Sequence, residues 1–165
     1  MEITLLRILM DVFFIALLLW CAHTDLKTRT VSNQPVVLLL CLGLANTVLM
    51  LLTGHIWWQY PAALTFVVPF FIAWLKNFMG GGDVKLIAAI VLYLGLLNSI
   101  ISFILMLPLL TALLMFAWFK SKTVVCKIPF APVLAFGSIF VVILGYLYSL
   151  ELLLLGAVQQ AAKIG

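Results

Sequence analysis

Charge is what this chain lacks. Asp, Glu, Lys and Arg together make up 8% of its 165 residues, and only five of them are acids. With 67% hydrophobic residues and a mean hydropathy of +1.33, it lies far above the roughly 45–50% apolar content of soluble domains. That excludes a water-soluble fold and marks an integral membrane protein. Cysteine is scarce as well: Cys21, Cys41 and Cys126 lie far apart and form no CxxC pair, so neither a zinc site nor a disulfide framework is indicated. They read as small apolar packing residues. The formal net charge of +4 is spread thinly between apolar spans, which argues against a nucleic-acid partner and makes the basic residues reporters of orientation.

What the chain has is apolar length. A helix needs about 20 apolar residues to cross the hydrocarbon core, and spans are expected at about 5–24, 35–53 and 56–75. No small-residue cleavage site follows the first, so it is a span and not a signal peptide. After Asp83 the apolar run continues to Phe119; about 36 residues at 1.5 Å each is near 54 Å, too long for one crossing. A break near "GLLNS", Gly95 to Ser99, yields a short fourth helix of about 84–97 and a fifth of about 98–119, with Pro108 kinking the fifth. A sixth span of about 130–152 follows. The reading is an all-α bundle of six transmembrane helices, one membrane domain over 1–165, with no room for a separate soluble domain.

Lysine placement tests that count. Loop 1 holds Lys27 and Arg29, loop 3 holds Lys76 and Lys85, and loop 5 holds Lys120, Lys122 and Lys127, while loops 2 and 4 hold none. Cytoplasmic loops carry the excess of Lys and Arg. Odd loops are therefore cytoplasmic and both termini lie outside. Treating 84–119 as one span would move the loop 5 lysines to the outer side, against the rule.

The five acids are Glu2, Asp11, Asp25, Asp83 and Glu151. Asp25 ends helix 1 and Asp83 opens helix 4, so both fall at the cytoplasmic face, whereas Asp11 lies 14 residues, about 21 Å, before Asp25. Only Asp25 and Asp83 are placed together by topology. Two carboxyls brought close cannot both ionise cheaply, so one can act as base on a water while the other donates to a carbonyl oxygen; this is the chemistry of aspartic peptide hydrolysis. The alternative is plainer: Asp83 as a helix N-cap after a glycine turn, and Asp25 as a solvated loop charge near Lys27 and Arg29. Gly80, Gly81 and Gly82 permit positive φ and close backbone approach, which would leave the start of helix 4 open to water and substrate. Arg7 and Asp11, one turn apart, are expected to pair within the membrane. His23 and His55 fall on opposite sides, so no shared metal site and no cofactor is expected. Trp57, Trp58 and Tyr60 read as an interfacial belt.

Two motifs then stand out. "DLKTRTVSN", Asp25 to Asn33, resembles the first motif of type IV prepilin peptidases: an Asp, a basic residue two on, a β-branched aliphatic, and an Asn eight after the Asp. "GGGDVKL" is similar to their GxGD motif at Gly80, Gly82 and Asp83, and "KIPFAP", Lys127 to Pro132, looks like the segment that opens their last helix. The resemblance implies a membrane aspartic endopeptidase of the inner (cytoplasmic) membrane. Such an enzyme cuts the short basic leader from prepilin-like proteins at the cytoplasmic face, usually after a glycine. It implies Asp25 and Asp83 as the catalytic pair, and Lys27, Asn33, Gly80, Gly82 and Lys85 as motif positions. Ser32 stands where the family often has proline. Paired CxxC motifs of the long, methylating members are absent, so the chain looks like the short peptidase-only form of tight-adherence (Flp-type) pilus systems or like archaeal preflagellin peptidases, with no methyltransferase activity. Rival readings are a small proton-coupled transporter and an inactive structural subunit of a pilus or secretion complex; both acids at one face, with none unpartnered at the midplane, speaks against the transporter.

Overall fold

A computed structural model describes residues 2–28, 32–54, 56–121 and 130–164. Helices α1 (Glu2–Thr28) and α2 (Asn33–Leu52) are followed by a third helical segment made of α3 (Gln59–Ala62), a 3-10 stretch (Ala63–Val67) and α4 (Val68–Leu75). Then come α5 (Gly81–Leu94), α6 (Leu96–Ser121) and α7 (Phe130–Ile164). Among the described residues there is no strand, and the six helical segments follow the expected order. Four are long and apolar enough to cross a membrane: Leu5–Thr28, Asn33–Leu52, Leu96–Leu113 and Phe130–Glu151. The other two, Gln59–Leu75 and the 14-residue α5, are shorter. The third segment tightens to 3-10 just ahead of Pro69, a residue that has no N–H to give to the helical ladder.

The break in the long apolar run falls at Gly95. Its φ of 78° lies in the region that favours glycine, and its N–H bonds back to the Val91 carbonyl at 3.0 Å. The Ser99 hydroxyl takes up the Gly95 carbonyl at 2.6 Å, so α6 starts within two residues of the end of α5. Further on, α6 runs through Pro108 as a continuous helix, and α7 is 35 residues long, extending past the expected end near 152.

Helix α5 is the centre of the bundle. Val84, Leu86, Ile87 and every residue from Ala89 to Leu94 are buried, enclosed chiefly by α2, the 3-10 stretch, α6 and α7. A helix apolar on all sides belongs inside, which is why 14 residues suffice here. Outward, Leu19, Trp20, Val37, Ile72, Ile104 and Phe140 are exposed, the surface expected against acyl chains. Lipid tails are as apolar as these side chains, so helix contacts rest on close packing and interhelical hydrogen bonds. Gly137 shows this: a Cβ there would sit 2.6 Å from the Ser102 carbonyl oxygen, and the Ser102 and Ser138 hydroxyls bond across α6 and α7 at 3.2 Å.

Candidate active site

Asp25 lies in the last turn of α1 and is 6% exposed. Its Oδ2 accepts the Ala131 backbone N–H at 3.1 Å, in the first turn of α7. The unpaired N–H groups and positive dipole end of a helix favour a carboxylate. The end of α1 is thereby tied to the start of α7. Asp25 is therefore not the solvated loop charge of the plainer reading.

Asp83 is fixed by how α5 begins. Gly80 caps the helix in extended conformation (φ −70°, ψ 139°), and its carbonyl accepts the Asp83 N–H at 3.1 Å. Asp83 thus sits in the first turn and is not itself the cap. Burial pushes its carboxyl up to about 6, and the charge of Asp25 adds to the rise. The carboxyls of Asp25 and Asp83 are within electrostatic reach of each other, at the end of the bundle where α1 finishes and α5 and α7 begin.

The glycines act differently from the sequence expectation. None of Gly80, Gly81 and Gly82 has positive φ; the reversal before α5 is made at Asn77, with φ 59°. Asn tolerates that left-handed position at a helix end, and the Asn77 and Phe78 N–H groups cap the Trp74 and Ala73 carbonyls at 2.9 Å each. The gain at Gly80 and Gly81 is space. A Cβ on Gly81 would lie 3.0 Å from Trp74 Nε1, and one on Gly80 would lie 3.1 Å from Asp83 Oδ2. The sequence could not show this, because Trp74 meets Gly81 only after the chain reverses.

Gly82 is half-buried in the first turn of α5. Lys27, Asn33 and Lys85 are exposed, in the last turn of α1, the first residue of α2 and the first turns of α5. Among the described residues none of the three hydrogen-bonds or ion-pairs with Asp25 or Asp83. Arg29, His55, Lys122, Cys126, Lys127 and Pro129 lie outside the described residues.

At the opposite end Asp11 departs from expectation. It forms no ion pair with Arg7; its two carboxylate oxygens accept the hydroxyls of Tyr93 on α5 and Tyr146 on α7. Arg7 sits exposed at the rim, whereas the two tyrosines converge on Asp11 from neighbouring helices. Phe14 stacks on Tyr93 with ring centroids 4.0 Å apart, and Asn46 Nδ2 donates to the Tyr93 carbonyl at 3.0 Å. A cavity of about 380 Å³ opens here, lined among others by Arg7, Asp11, Tyr60, Tyr93, Asn98 and Tyr146. Asp11 and Tyr93, polar residues set in apolar stretches of α1 and α5, were the signals of this cluster in the sequence.

The helices form an all-α membrane bundle with Asp25 and Asp83 at one end and a polar cavity at the other. The model of the type IV leader peptidase family matches residues 12–117, nearly two thirds of the chain and including Asp25 and Asp83. The chain belongs to that family, and is accordingly an integral membrane peptidase whose family acts on prepilin-like proteins. No curated protein and no solved structure matched.

Proposed function

We propose that this chain is an aspartic endopeptidase that cuts the short basic leader from a prepilin-like protein at the cytoplasmic membrane face, with Asp25 and Asp83 as the catalytic pair. The observation that carries the reading is the buried Asp25, held by the Ala131 N–H and acting on an Asp83 whose proton affinity is raised. One carboxylate takes a proton from a water that attacks the scissile carbonyl carbon, while the other, protonated, donates to the carbonyl oxygen. Collapse of the tetrahedral intermediate breaks the C–N bond, and the proton taken from water passes to the leaving amine. The pair titrates as one unit, so neither residue is tied to one role.

The same end carries Lys27, Lys76 and Lys85, consistent with a cytoplasmic face. The remaining acids, Glu2, Asp11 and Glu151, lie well along their helices from this end. A basic leader is therefore drawn to anionic headgroups around the site more than to acids of the protein. Incubating the protein in proteoliposomes with a panel of leader-bearing pilins tests the activity: release of a leader by wild type and not by Asp25→Asn supports it, and no cleavage of any panel member overturns it. For the orientation, a cysteine placed at Gly54 should react with an impermeant reagent from outside. Labelling of one at Ser121 instead would invert the topology.

A further inference from the structure

The cavity at the end opposite Asp25 and Asp83 is not used by peptide hydrolysis. Arg7 precedes Asp25 by 18 residues on α1, about 27 Å along the axis, close to the ~30 Å thickness of the hydrocarbon core. Arg7 is therefore at headgroup level of the opposite leaflet. The exposed Trp57 and Trp58, next to the cavity-lining Tyr60, mark the same level. Leu5, Leu6, Ile8 and Leu9 around Arg7 are all exposed, so the cavity's mouth borders the lipid at that level. A polar cavity at this level takes water or the polar headgroup of a lipid.

Its chemistry is that of a zwitterion. Arg7 makes no hydrogen bond or ion pair to another described residue, which leaves its five-donor fork for an anion such as a phosphodiester. One helical turn deeper, about 6 Å, Asp11 carries the acid. Each carboxylate oxygen accepts one tyrosine hydroxyl and keeps lone-pair capacity for an N–H donor. The one-turn offset suits two charges joined by a two-carbon arm, and the volume of about 380 Å³ falls within the roughly 300–1,000 Å³ of small-molecule sites.

We propose that this cavity binds the phosphoethanolamine headgroup of a phospholipid in the leaflet opposite the Asp25–Asp83 site, with the phosphate on Arg7 and the primary ammonium on Asp11. A trimethylammonium headgroup has no N–H to give Asp11, and a glycerol headgroup has no cation. The test uses delipidated full-length protein in detergent, titrated with short-chain phosphatidylethanolamine, phosphatidylcholine or phosphatidylglycerol and read by native mass spectrometry. Phosphatidylethanolamine should bind roughly tenfold or more tighter than the other two, and Arg7→Gln and Asp11→Asn should each abolish the preference. Arg7→Gln leaves the tyrosine bonds of Asp11 in place, so it reports on binding even if Asp11→Asn fails to fold. Equal binding of the three lipids, or an undiminished preference in Arg7→Gln, overturns the proposal. Soluble glycerophosphoethanolamine binding as tightly as the lipid would assign the cavity to a soluble zwitterion and overturn the lipid assignment. Because binding is also measured in Asp25→Asn protein, the outcome is independent of peptidase activity.

Discussion

Each end of this bundle holds an aspartate of α1, the half-buried Asp11 and the buried Asp25, and the two are kept in opposite ways. Asp11 is surrounded by neutral donors, with one tyrosine hydroxyl for each oxygen. Asp25 receives a backbone N–H on one oxygen and faces a second acid whose proton affinity it raises. A carboxylate satisfied by neutral donors is fixed in place. A carboxylate next to another carboxyl has a protonation state that a substrate or water can change. The same residue type on the same helix is thus held by neutral donors at one end and set against a second acid at the other, according to what packs around it.

The sharpest way to break this comparison is to neutralise each acid in turn. Asp25→Asn and Asp83→Asn should each lower leader cleavage by at least about 10²- to 10⁴-fold, the scale of a lost general acid or base. The double mutant should be hardly worse than either single, since residues acting as one unit are non-additive. Rates additive in free energy across the double mutant would show that the two do not act together.

A smaller effect is expected at Gly80→Ala, whose Cβ would lie 3.1 Å from Asp83 Oδ2 and displace the carboxyl. Cleavage should fall by roughly tenfold, as misplacement of a catalytic group does, with the thermal midpoint little changed. Gly81→Ala meets Trp74 instead, at 3.0 Å, so its defect should be relieved by Trp74→Ala, whereas that of Gly80→Ala should not. Rescue of both by Trp74→Ala would mean that crowding against α4, not the acid, is what the glycines avoid.

Asp11→Asn removes the charge that both tyrosines bond to, and one hydroxyl loses a good acceptor. The expected cost is about 1–3 kcal/mol in stability, read by thermal unfolding, with cleavage per folded molecule unchanged. Loss of turnover in well-folded Asp11→Asn protein would move the chemistry to the wrong end of the molecule.

The smallest effect concerns pH. Asp83 holds its proton more tightly in the folded protein, to about 6, than the ordinary 3.8 of a free carboxyl. Between those values the folded state binds more protons than the unfolded state, so this residue's contribution makes stability fall as pH rises toward 6. Lowering the pH from 7 to about 5 should raise the unfolding midpoint by a few degrees at most, and Asp83→Asn should flatten that dependence. A rise of the same size in Asp83→Asn would assign it to another group.

Much of this protein is legible in one dimension. Apolar length marks out the helical segments in their order, and the 36-residue run has to be divided. Gly95 divides it because only that residue there tolerates φ near 78° without strain. The grouping of Asp25 with Asp83 at one end follows from the same order, and the two motifs that mark the family are local strings. Tertiary structure alone decided the partners. Ala131 lies 106 residues from the Asp25 that accepts its N–H, Tyr146 lies 135 residues from Asp11, and Trp74 meets Gly81 only across a reversal. Local spacing favoured Arg7 for Asp11, one turn away, but the hydroxyls that reach it come from helices folded against α1. Sequence spacing records neighbours along one helix, whereas a buried acid takes its donors from whichever helices pack around it.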